Sequence, residues 1–133
     1  MHSSESSFEW SAVVAATADV CMKPCLHAVV DERNLSEENN DNKQDLIMRI
    51  ECRSPEGERL PEKDLELEIF CSGGELNLTL CWHKKLDRPI LWHGQYPIWM
   101  DGTTGKRCSS PLDGDCLESF ARRLRALFDS TND

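Results

Sequence analysis

No stretch of this sequence approaches the ~20 consecutive apolar residues that a bilayer-crossing helix needs, which excludes a helical membrane span. Positive charge is scarce as well: 15 Lys and Arg stand against 24 Asp and Glu, a formal net charge of −9. A nucleic-acid binder carries a basic footprint, and docking on anionic lipid needs the same sign, so both classes are excluded as expectations. The opening residues MHSSESSFEW lack the basic start of a secretion signal and carry Glu5 and Glu9. The expected location is therefore cytoplasmic. There is no C-x-x-C pair, although the chain has seven cysteines. With no secretion signal, an odd number of thiols reads as reduced cysteines rather than a disulfide framework. No internal repeat is present.

What the sequence does have is a run of strand pattern from Leu65 to Trp82. Leu65, Leu67, Ile69 and Cys71 alternate with Glu66, Glu68 and Phe70; after Ser72-Gly73-Gly74-Glu75, Leu76, Leu78, Leu80 and Trp82 alternate with Asn77, Thr79 and Cys81. Period two means half-buried strands, and Gly-Gly supplies the positive φ pair of a two-residue type I′ turn. Counting outward from the turn predicts the pairs Cys71 with Leu76, Ile69 with Leu78, Leu67 with Leu80 and Leu65 with Trp82. Every apolar side chain of that set then falls on one face, and a slip of one residue would destroy the match. The other face, with Glu66, Glu68, Glu75, Asn77 and Thr79, reads as solvated.

Upstream, Ser6 and Glu9 form a capping-box pattern ahead of Trp10, Val13, Val14, Thr17, Val20 and Cys21, which predicts a helix stopped by Pro24. The valines make a strand the competing reading. Residues 25–30 read as a short strand or the entry to a loop. Residues 31–45, DERNLSEENNDNKQD, read as a mobile acidic loop. Leu46, Met48, Ile50 and Cys52 alternate with Ile47, Arg49, Glu51 and Arg53 as a further strand, and Leu60 is expected to pin the connection that follows. Cys52 and Cys71, in strand phase, are read as small core residues. Ile90–His93 and Tyr96–Met100 are extended, with Gly94 as a bend and Pro97 confining the second piece to an edge. At the C-terminus, Leu117, Phe120, Ala121, Leu124, Leu127 and Phe128 share one helical face, with Asp115 and Glu118 at its start.

Candidate chemistry is thin. Cys21, Cys25 and His27 could ligate a metal, with Cys108 and Cys116 in reserve, but the paired spacing of zinc sites is missing, so no metal and no cofactor is expected. Cys81 and His83 share a strand face, yet nothing marks an oxyanion hole. Gly102-Thr103-Thr104-Gly105-Lys106 is not a phosphate loop, because Arg107 follows the lysine and the spacing is short. A haloacid-dehalogenase strand end would need a nucleophilic Asp where Trp99 stands. The most unusual feature is aromatic: Trp82, Trp92, Tyr96 and Trp99 place four of nine aromatic residues within 18 positions. Trp and Tyr are enriched at binding hot spots, and a broken edge offers backbone groups for strand addition.

The stretch Leu91–Gly102, followed by Pro111-Leu-Asp-Gly114 and Leu117–Leu127, resembles small uncharacterised cyanobacterial proteins. The resemblance covers about a third of the chain and implies a cyanobacterial cytosolic context, with an accessory role in assembling photosynthetic or carbon-fixing machinery. It transfers no functional residue.

These observations predict an α+β fold in one domain, 1–133: a single antiparallel sheet of about four or five strands, a C-terminal helix on one face and an N-terminal helix beside it. The expected function is a non-enzymatic protein-binding or assembly factor. Trp92, His93, Tyr96 and Trp99 are its partner-binding residues, its partners are proteins, and an exposed edge allows a homodimer. The alternative is a small-molecule-binding protein or small enzyme using Cys81, His83, His93 and Asp101.

Overall fold

The computed structural model describes residues 3–31, 46–85 and 87–131, with side-chain surroundings for 10–30, 46–85 and 87–128. Residues 32–45, nearly all of the expected acidic loop, lie outside the described residues. The elements in chain order are α1 (Ser3–Cys21), β1 (Leu26–Asp31), β2 (Leu46–Arg53), β3 (Leu65–Ser72), β4 (Glu75–Trp82), β5 (Ile90–His93), β6 (Pro97–Met100) and α2 (Gly114–Thr131). The six strands form one sheet in the order of the chain, every neighbouring pair antiparallel. The fold is therefore α+β with a meander sheet.

Among the described residues the strand count is six, not the four or five expected. Two short edge strands make the difference. Residues 26–31, ambiguous in sequence, gain strand geometry by pairing with β2, so that Val29 faces Ile50 and Asp31 faces Met48. The 90–100 segment, read as one bent piece, is two strands joined by a turn at 94–96. Strands of four residues have too little pattern of their own; the ladder to β4 stabilises β5, and β5 in turn pairs with β6.

The central hairpin has the register that its alternation dictates. Cys71 pairs with Leu76, Ile69 with Leu78, Leu67 with Leu80 and Leu65 with Trp82. Gly73 and Gly74 both adopt positive φ, at 63° and 83°, as a two-residue turn between twisted strands requires. The register then propagates across the sheet. Met48, Leu67, Leu80, Leu91 and Trp99 pair in succession from β2 to β6, a continuous apolar row, and all five are buried. A parallel row brings Leu46, Ile69, Leu78 and His93 together. Cys71 is the exception on this face: it lies exposed at the hairpin tip, whereas Cys52 is in the core.

Both helices cover that face, α1 over β1 and α2 over β4 and β5. Leu117, Phe120, Ala121, Leu124 and Phe128 are buried, as the helical stripe predicts, whereas Leu127, expected on the same stripe, is exposed. From α1, Val14, Thr17 and Ala18 are buried, and Trp10 stacks on Phe128 with ring centroids 3.7 Å apart. Cys21, at the other end of α1, lies within electrostatic reach of Cys116 at the start of α2, so the helices run antiparallel. The cap positions differ from those expected. Helix α1 begins at Ser3, so Ser6 is inside it, and α2 begins at Gly114, so Asp115 is in its first turn rather than ahead of it. Gly114 is required there by packing, since a Cβ would sit 2.9 Å from Trp99 Cζ2.

The 54–64 connection is pinned by Leu60, whose amide donates to the Cys52 carbonyl, and more firmly by Asp64. That buried carboxylate accepts from the Cys52 amide at 2.8 Å and from both terminal nitrogens of Arg59 at 3.1 and 2.8 Å. Among the described residues no helix is long and apolar enough to cross a membrane.

Candidate functional site

Among the described residues no helix covers the other face of the sheet. Its central row pairs Ile47, Glu68, Thr79, Trp92 and Ile98 from β2 to β6. Because strands alternate, each of these residues points away from the helix-covered core. At one end of the sheet the β3–β4 turn and the β5–β6 turn come side by side, since Leu78 pairs with His93. A cleft of about 370 Å³ opens between them. Strand β4 contributes Glu75 and Asn77 to its wall, β5 contributes Trp92, and β6 contributes Ile98. The 94–96 turn closes it with Gly94, Gln95 and Tyr96.

Asn77 organises the cleft. It was expected to be solvated, yet it is only 6% exposed. The 94–96 turn folds against it so closely that a Cβ on Gly94 would lie 2.8 Å from Asn77 Oδ1. Glycine is needed here for close approach rather than for an unusual φ. Asn77 Nδ2 donates to the Glu75 carbonyl at 3.1 Å, which leaves Oδ1 turned toward the 94–96 turn.

The four expected partner residues divide by strand phase. Tyr96 is 71% exposed at the turn and Trp92 is half-buried, and both line the cleft. Trp99 is in phase with Leu91 and sits beneath α2, 5% exposed. Its Nε1–H donates to Glu118 Oε2 at 2.6 Å and its ring packs near Trp82, centroids 6.4 Å apart. It presents no surface to a partner. His93 is likewise on the core side, 4% exposed. Its Nδ1 lies 3.1 Å from the Gly94 carbonyl; a carbonyl only accepts, so Nδ1 carries the proton and Nε2 has no hydrogen-bond partner among the described residues. Burial, with Arg125 and Arg122 nearby, holds this imidazole below its ordinary pKa despite the Gly94 hydrogen bond. The edge of β6 is also less open than expected. The Cys108 amide donates to the Trp99 carbonyl and the Asp101 amide to the Lys106 carbonyl, so the chain's own 106–108 segment occupies part of that edge.

The residues of the enzymatic alternative do not converge. His93 is on the core face, whereas Cys81 and His83 project from the open face. His83 Nδ1 donates to Glu66 at 2.6 Å. Burial pushes the Cys81 thiol up to about 11, with Glu66 adding to the effect, the opposite of an activated nucleophile. Asp101 accepts from the amides of Thr104 and Thr103, which lowers its pKa and commits it to a turn. Of the metal-ligand candidates, His27 bonds Asp19 at 2.9 Å, and Cys25 lies near Cys52, whose thiol is pushed up to about 12 chiefly by burial. Among the described residues no three His, Cys, Asp or Glu side chains are grouped to hold a metal ion.

Sequence reasoning missed Ser72, Glu75, Asn77, Gln95 and Ile98 as cleft residues. The signal exists only in two dimensions: once β5 is known to pair with β4, Trp92 falls beside Thr79 and Gly94 beyond it falls against Asn77.

The architecture defines a class, a six-stranded antiparallel meander with two helices on one face and an open, aromatic-bearing second face. Residues 11–127 match the family described as Domain of unknown function (DUF8659), and the chain belongs to that family. No curated protein and no solved structure matches it.

Proposed function

We propose that the protein is a non-enzymatic binding module whose partner, a protein segment, docks in the cleft between the β3–β4 and β5–β6 turns. The single observation that carries this reading is the pairing of Trp92 and Tyr96 in one concavity on a sheet face that, among the described residues, no helix covers. A buried sheet row normally explains aromatic residues, and it does explain Trp82 and Trp99. It does not explain Tyr96, whose ring is left in solvent at a turn where a small polar residue would suffice. Large amphipathic rings beside amide and carboxylate groups are the composition of binding hot spots. The cleft, rather than the partly occupied β6 edge, is the contact surface.

The test is site-specific photo-crosslinking in the cells of origin. A photoreactive phenylalanine analogue in place of Tyr96 is expected to give one discrete crosslinked protein, and Trp92→Ala is expected to abolish it while lowering the melting temperature by no more than about 5 °C. The same analogue at exposed Leu112 serves as the control. Equal crosslinking at Leu112, or insensitivity to Trp92→Ala, refutes the reading.

A further inference from the structure

We propose that the occupant of the cleft is a cationic side chain, an arginine or lysine carried on a basic extended segment of the partner. The inference rests on the binding-module reading and specifies its chemistry. Glu75 is the only ionisable carboxylate among the lining residues, and it is exposed with no ion pair among the described residues. No Lys or Arg lines the cleft. The remaining polar wall offers the Ser72 side chain, the Asn77 Oδ1 acceptor and the Gln95 carboxamide. Trp92 and Tyr96 supply π faces, which attract cations and repel anions at the ring face. Neither ring stacks on the other or on a third ring among the described residues. Arg125 reaches this region only from the helix side, where its Nε–H donates to the Leu76 carbonyl.

A long basic side chain matches this arrangement in both halves. Its methylene stem fits against Ile98 and the Trp92 ring, and its charged head meets Glu75. The chain's net charge of −9 adds a long-range attraction for a basic segment and a repulsion for an acidic one. The protein already uses the same device internally. Arg88 lies over the Trp82 ring at 3.8 Å and pairs with the Asp113 carboxylate at 2.7 Å. Trp92 and Glu75 repeat that ring and carboxylate combination with no cation of the described residues between them.

The experiment is an NMR titration of the ¹⁵N-labelled full chain with four blocked pentapeptides, Gly-Ser-X-Ser-Gly, in which X is Arg, Lys, Gln or Glu. The Arg and Lys peptides are expected to move the Trp92 indole N–H and the Gln95 and Tyr96 amides saturably, binding at least about fivefold tighter than the Gln peptide. Glu75→Gln is expected to remove that preference, and raising salt well above physiological strength should weaken it, because the carboxylate is exposed. If the Gln peptide binds the cleft as tightly as the Arg peptide and Glu75→Gln changes nothing, the cation assignment is overturned while the docking cleft stands. If the Glu peptide binds tightest, the cation assignment is also overturned. If none of the four perturbs the cleft, or the shifts lie elsewhere, the cation assignment and the docking cleft fall together.

Discussion

Trp92 and Trp99 are seven residues apart and lie on opposite faces of the sheet, so replacing each with alanine should give opposite kinds of loss. Trp99 occupies the end of the apolar row that runs through Met48, Leu67, Leu80 and Leu91. Its ring touches the start of α2 at Gly114, and its Nε1–H is held by Glu118. Backbone at Gly114 cannot collapse into a vacated indole without moving the helix, so the cavity persists. Truncation of a buried aromatic to alanine costs about 3–5 kcal/mol, and Trp99→Ala should fall in that range. Trp99→Phe keeps most of the ring and loses the hydrogen bond to a half-buried carboxylate, at about 1–2 kcal/mol. Trp92→Ala removes a half-buried ring from the open face and should cost less than ~1 kcal/mol. Urea unfolding followed by far-ultraviolet circular dichroism measures all three without relying on indole fluorescence. The reasoning is refuted if Trp99→Ala costs under ~1.5 kcal/mol, or if Trp92→Ala costs as much as Trp99→Ala.

Three further outcomes test other parts of the structure. Asp64→Ala should destabilise by about 3 kcal/mol and Asp64→Asn by roughly half that, since the amide oxygen still accepts from the Cys52 N–H; Arg59 is a third exposed, so the full value for breaking a buried ion pair does not apply. A urea midpoint for Asp64→Ala indistinguishable from wild type would contradict the pinning role. His93 has a folded pKa below the usual 6.5, so the unfolded chain binds more protons and its contribution to stability is full above about pH 6.5 and lost as pH falls toward the depressed folded value. The groups around it are Arg125, Arg122 and Glu118 on α2, and wild type should lose more stability than His93→Leu between about pH 7.5 and 5. Parallel pH profiles would sink that argument. Finally, Cys81 should alkylate roughly ten- to a hundredfold more slowly than exposed Cys108 near pH 8, followed by peptide mass spectrometry, because its thiol is raised to about 11; equal rates would restore it as a nucleophile candidate.

The two-residue period of 65–82, the Gly-Gly turn and the 3.6-residue stripe of 117–128 are local properties of the chain. They determined the hairpin, its register and the buried face of α2 without help from any other element, because a one-residue slip would expose a whole apolar set. The same is true of the absence of a helical membrane span. The extended character of 90–93 and 96–100 was legible, but their separation into two paired strands was not, and 25–30 stayed ambiguous, because segments of four to six residues owe their geometry to the neighbour they pair with. The candidate site was half legible. An aromatic concentration at 92–99 drew attention to the right segment, but the turn at 94–96 decides the phase of each ring, and phase decides exposure. Only the tertiary structure separated Trp92 and Tyr96 from Trp99 and His93, buried Asn77 under Gly94, brought Glu75 across from a different hairpin, and turned Asp64 from a loop residue into a buried anchor. Those outcomes depend on pairings between strands distant in sequence, which no local period encodes.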